Sequence, residues 1–73
     1  MAITISFYAK VFRYNRQLLK LSQTQLGERL GLPQSTVQRI ENGLRQPKPV
    51  LLEKLAKLRG LTIEQMVFQT FLS

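Results

Sequence analysis

Between Leu30 and Gln34 the chain has only Gly31-Leu32-Pro33, a link of about three residues set between two stretches whose apolar residues recur at helical spacing. Two helices joined so tightly must cross steeply with their backbones close together, which makes specific demands on the sequence. A very small residue must sit where the backbones approach, and Gly27 is there. A glycine is needed in the turn, and Gly31 is there. Inward positions must be apolar, and Leu26, Leu30, Leu32, Val37 and Ile40 fill them. Local signals set the ends. Ser22 and Gln25 form a Ser-x-x-Gln capping box, so the first of the two helices runs from about Gln23 to Leu30. Gly31 supplies the left-handed residue that stops it, and Pro33 can open the next helix, where no N–H is required. That second helix runs to about Glu41 and ends at Asn42-Gly43.

The flanking sequence is helical as well. From about Ser6 to Leu19, Tyr8, Val11, Phe12, Leu18 and Leu19 recur with helical period. After the loop Arg45-Gln46-Pro47-Lys48-Pro49, residues Val50, Leu51, Leu55, Ala56 and Leu58 mark a fourth helix ending at Gly60. Thr62 with Gln65 repeats the capping box ahead of a fifth, on which Ile63, Met66, Val67 and Thr70 share a face. The alternation of Ile3, Ile5 and Phe7 fits a short N-terminal strand as well as a lead-in to the first helix. The expected fold is an all-α, compact five-helix domain spanning residues 1–73, since 73 residues support one modest core burying roughly 60% of the unfolded surface.

Composition narrows the chemistry. The 11 Lys and Arg against four Glu give a formal charge of +7 and a pI near 10.7, which favours anionic partners. With no Cys and no His, disulfides, the usual zinc sites and histidine acid/base chemistry are excluded. The four Glu are scattered and neither a nucleophile constellation nor a glycine-rich phosphate loop is present, so no enzyme, cofactor or small-molecule ligand is expected. The N-terminus is a poor signal peptide and no run of 18 uncharged apolar residues occurs, so a cytoplasmic, nucleoid-associated protein is expected. A cationic membrane-surface protein would need one long apolar helix face, and here the apolar residues are divided among five helices.

The combination of Arg16, Leu21-Ser22-Gln23, Leu26-Gly27, Gly31, Val37, Ile40-Glu41-Asn42-Gly43, Pro47 and Leu55-Ala56 resembles the Cro/CI-type, XRE-family helix-turn-helix regulators across roughly Phe12 to Val67. The resemblance implies a repressor-like regulator that reads double-stranded DNA with its third helix in the major groove. With Val37, Ile40 and Leu44 turned inward, Gln34, Ser35, Gln38 and Arg39 form one outward surface. These four are the candidate base readers, since Gln pairs with adenine and Arg with guanine. A plain solvated helix face is the competing reading, and Ser35 and Arg39 can also touch phosphate.

The resemblance further implies that Gln23 and Asn42 hold phosphates by side chain or backbone N–H. Arg45 and Lys48 flank the same loop, with Arg13 and Lys20 as secondary candidates on a helix that presents several charges. In relatives the counterparts of Arg16 and Glu41 form an internal salt bridge. Family members usually bind two-fold operators as dimers, often through helix five, so Phe68, Phe71 and Leu72 are the candidate homodimer interface, with capping of the monomer core as the competing reading. A protein-interaction module, an adaptor or antitoxin body using the same fold, is the alternative. Four positions depart from the family. Pro33 replaces a capping Ser or Thr, Gly27 replaces the commoner Ala, and Asn15 and Arg59 occupy usually apolar positions.

Overall fold

The computed structural model describes residues 5–73, with side chains from Phe7 onward. The described residues form α1 (Ile5–Leu18), α2 (Gln23–Leu30), α3 (Gln34–Glu41), α4 (Pro49–Leu58) and α5 (Ile63–Leu72). In α1 the residues Val11, Phe12 and Asn15 are wholly buried, a helical i, i+1, i+4 stripe that packs on α3 and α5. The same period runs back through Phe7 and Tyr8, which pack against the core. It overrides the alternation that suggested a strand: Ile5 to Phe7 are helical, and Ile3 lies outside the described residues.

The helix ends follow capping chemistry. Ser22 Oγ accepts from the Gln25 N–H at 3.0 Å while Gln25 Oε1 accepts from the Ser22 N–H at 2.8 Å, and Thr62 with Gln65 does the same for α5. Gly31, at φ 74°, turns the chain out of α2, and the Leu32 N–H returns to Gly27 O at 2.7 Å. Gly27 is buried because nothing larger fits: a Cβ there would lie 2.5 Å from the backbone oxygen of Leu32. Its departure from the commoner Ala therefore belongs to the tight elbow.

Val11, Phe12, Leu26, Leu30, Val37, Ile40, Leu52, Leu55, Ala56 and Met66 make one continuous core. Truncating the largest of them, Phe12, to Ala would cost about 3–5 kcal/mol. Leu44, assigned inward by periodicity, faces solvent instead, and so does Val50, one of the apolar residues that mark the fourth helix. Leu44 is 67% exposed because α3 stops at Glu41 and Gly43, at φ 74°, redirects the backbone, so the i+7 relation to Val37 does not hold. Val50 is exposed on α4, and Leu52 takes the buried position. Pro33 is the N-cap of α3 rather than its first residue, and its carbonyl accepts from Thr36 and Val37.

The two polar intruders explain each other. Asn15 donates to Val11 O at 2.8 Å and to Thr70 Oγ1 at 2.9 Å, and its Oδ1 accepts from the Arg59 guanidinium. Arg59 in turn donates to Gln69 Oε1 at 3.0 Å. This network fastens α5 to α1 with every buried polar group satisfied, which is the condition under which such groups are tolerated in a core.

Candidate nucleic-acid interface

The outward side of α3 is built by helical arithmetic. Val37 and Ile40 are fully buried and Thr36 is half-buried, so at 100° per residue Gln34, Ser35, Gln38 and Arg39 must share the opposite side, and all four are exposed. This side presents two amides, a hydroxyl and a guanidinium along two turns of helix, a set rich in paired donors and acceptors.

One of these side chains is already positioned. Gln34 Nε2 donates to Gln23 Oε1 at 2.8 Å, and Gln23 Nε2 donates to Glu41 Oε1 at 3.2 Å. Gln23 thus spans from the first residue of α3 to its last. Its side chain is engaged within the protein, while its backbone N–H, at the start of α2, has no carbonyl one turn earlier to bond.

Glu41 anchors the other end of the relay. Arg16 Nε lies 2.7 Å from Glu41 Oε2 and Arg16 Nη2 lies 3.0 Å from Oε1, a two-pronged pair, while Arg16 Nη1 donates to Leu21 O at 3.0 Å. With Glu41 only 2% exposed, the pair is costly to create and far more costly to halve. Arg13, a contact that sequence reasoning missed, donates from Nη2 to the Glu41 backbone carbonyl at 2.8 Å and so caps the C-terminal end of α3. A bond to backbone leaves no side-chain signature in a sequence.

Asn42 is exposed, but its N–H is taken by Gln38 O at 2.9 Å, so only the side chain remains for a ligand. Arg45 and Lys48 are exposed on the loop into α4, and Lys48 is the N-cap of α4 with its side chain making no capping bond. Lys20 is exposed at the end of α1, at φ 58°. Away from this surface, Phe68, Phe71 and Leu72 stand exposed on α5. No helix among the described residues is long and apolar enough to cross a membrane.

Comparison with known proteins gives the arrangement a context. The model of a helix-turn-helix family matches residues 12–66. No curated protein matches the sequence. Among solved structures, the chain is similar to the hydroxypropylphosphonic acid epoxidase from S. wedmorenis at 22% identity and a TM-score of 0.74, covering 90% of this chain and 35% of that one. Apo-HppE matches at 23% identity and a TM-score of 0.72, covering 86% of this chain and 35% of that one. The chain therefore spans about a third of the solved chains it matches, and at these identities the likeness is one of fold.

Proposed function

The chain belongs to the Cro/CI-type, XRE helix-turn-helix family of DNA-binding regulators, and from that premise we propose that it is a sequence-specific, repressor-like transcriptional regulator that binds a two-fold operator as a homodimer. The observation that carries this reading is the exposed side of α3, where Gln34, Ser35, Gln38 and Arg39 stand together on a helix whose other side is locked in the core. In the major groove the amides pair with adenine edges and Arg39 with guanine. Asn42, Arg45 and Lys48 bind the flanking phosphates, as does Gln23 through its backbone N–H, and these contacts fix register without reading sequence. A formal charge of +7 supports the salt-sensitive part of that binding. In this reading the chain binds and does no chemistry.

Selection of bound duplexes from random DNA tests the proposal, followed by the same measurement on Gln38→Ala. A two-fold consensus is expected, with the variant losing about 1–3 kcal/mol of discrimination at one base pair per half-site. Duplex binding without any sequence preference would refute specific readout. The exposed apolar side of α5 favours a second reading, an interaction module, adaptor or antitoxin body, and a chain that binds no duplex at any salt concentration would support it.

A further inference from the structure

Glu41 faces two guanidinium groups but can neutralise only one. Arg16 takes both carboxylate oxygens at 2.7 and 3.0 Å, whereas Arg13 approaches the carboxylate no closer than 3.9 Å and bonds the backbone carbonyl instead. Arg13 is therefore the less compensated of the two cations, and its side chain is 53% exposed. A flexible surface cation would be uninformative. This one is held in place at the end of the recognition helix, next to exposed Asn42, with most of its five N–H donors unspent. It also borders a shallow depression on α1 whose other walls include Lys10, Tyr14 and Gln17. The hydroxyl of Tyr14 and the amide of Gln17 add hydrogen-bonding groups to a site that holds a fixed charge.

The geometry points to a phosphodiester-binding site on α1, with Arg13 as its anchor and Tyr14 and Gln17 as its walls, which grips the DNA backbone beyond the C-terminal end of α3. The inference rests on the DNA-reading proposal above and turns Arg13 from one of several exposed charges on α1 into the anchor of a defined site, held by the Glu41 carbonyl and walled by Tyr14 and Gln17. A planar guanidinium whose orientation is preset suits a phosphate oxygen better than a mobile ammonium does, because less side-chain freedom is lost on contact. The carbonyl bond presets it. The same cation offsets the negative end of the α3 dipole, which would otherwise repel a phosphate arriving at Asn42.

The test is the salt dependence of binding to a selected duplex and to a random one, with Arg13→Gln, Arg13→Lys and, as a control at an exposed lysine of α4 that is not part of the proposed DNA surface, Lys54→Gln compared with the unaltered chain. Arg13→Gln keeps a donor for the Glu41 carbonyl but removes the charge. It should lower the slope of log affinity against log salt by about 0.9, so that its deficit shrinks about threefold between 50 and 200 mM salt. That loss should be equal on both duplexes. Arg13→Lys and Lys54→Gln should keep the original slope. An unchanged slope for Arg13→Gln would overturn the phosphate site, and so would a loss confined to the selected duplex, which would make Arg13 a prop for α3. An unaltered chain that binds neither duplex overturns the DNA-reading proposal itself, an outcome distinct from either.

Discussion

Gln34 is tied to Gln23 by a 2.8 Å hydrogen bond between their amides, so the first residue of α3 is oriented by the first residue of α2. Gln23 is itself held by Glu41, the last residue of α3, at 3.2 Å. Side chains fixed before binding lose less entropy on contact than free ones.

It follows that Gln23→Ala acts at a distance from any base. Gln34 loses its acceptor and regains rotamer freedom, at a cost of about 0.5–1.5 kcal/mol when it is ordered against DNA. Competition between a selected and a random duplex should show reduced discrimination, and Gln34→Ala in the Gln23→Ala background should add little further loss. Fully additive losses would mean that Gln23 does not act through Gln34.

Arg16 and Glu41 form a buried pair with no slack, since each polar atom of the Arg16 guanidinium has a partner within 3.0 Å. Arg16→Met strands a carboxylate that is 2% exposed, leaving Gln23 and the distant Arg13 to compensate. A loss of about 3 kcal/mol is expected in urea unfolding. Combining it with Glu41→Leu should restore a large part of that loss, because no charge is then left buried without a partner. A double variant as unstable as the single one would show that packing, not charge, holds this corner.

Gly27→Ala should not bring the gain of about 1 kcal/mol that helix propensity alone promises. The added methyl would meet the Leu32 carbonyl oxygen at 2.5 Å, and that oxygen is backbone on the elbow itself. The elbow has to open, so thermal unfolding should come at a lower temperature than in the unaltered chain. A higher midpoint would mean that α3 can shift away without loss.

Lys20 is the non-glycine residue with positive φ among those described, at 58°, in the turn that closes α1. Left-handed backbone costs an L-residue with a Cβ about 1 kcal/mol. Lys20→Gly should raise stability by about that amount in urea melts. No gain would mean that the lysine side chain repays its strain through contacts it makes in the folded state.

The sequence made α2 legible to the residue, because its limits rest on neighbours: Ser22 and Gln25 at one end, Gly31 at the other. Leu44 was misread for the opposite reason, since counting by sevens assumes a helix that Gly43 interrupts. Asn15 and Arg59 stand out in the sequence as misfits, yet each looks like a flaw until the fold brings them together with Thr70, 55 residues from Asn15. The outward face of α3 follows from periodicity. The relay through Gln23 does not, because its partners lie 11 and 18 residues away and a glutamine at a helix start has no preferred tertiary partner.

On α5, Phe68, Phe71 and Leu72 lie at i, i+3 and i+4, so they form one patch, and their exposures of 63%, 71% and 66% exceed what the monomer core requires. Phe71 rests beside Phe7 with ring centroids 6.5 Å apart, which extends the apolar surface onto α1. Patches of this kind mark contact surfaces. If this one joins two copies, removing an aromatic anchor such as Phe68 should cost about 2 kcal/mol, or roughly thirtyfold in the dimerisation constant. Sedimentation of Phe68→Ser should then report the 8.4 kDa monomer at concentrations where the unaltered chain has twice that mass. The unfolding midpoint of the monomer should be unchanged, because Phe68 contributes little to the core, while affinity for a two-fold operator falls and affinity for a half-site persists. A variant that keeps its mass but melts early would make Phe68 a support for the monomer and leave the operator without a second subunit on this face.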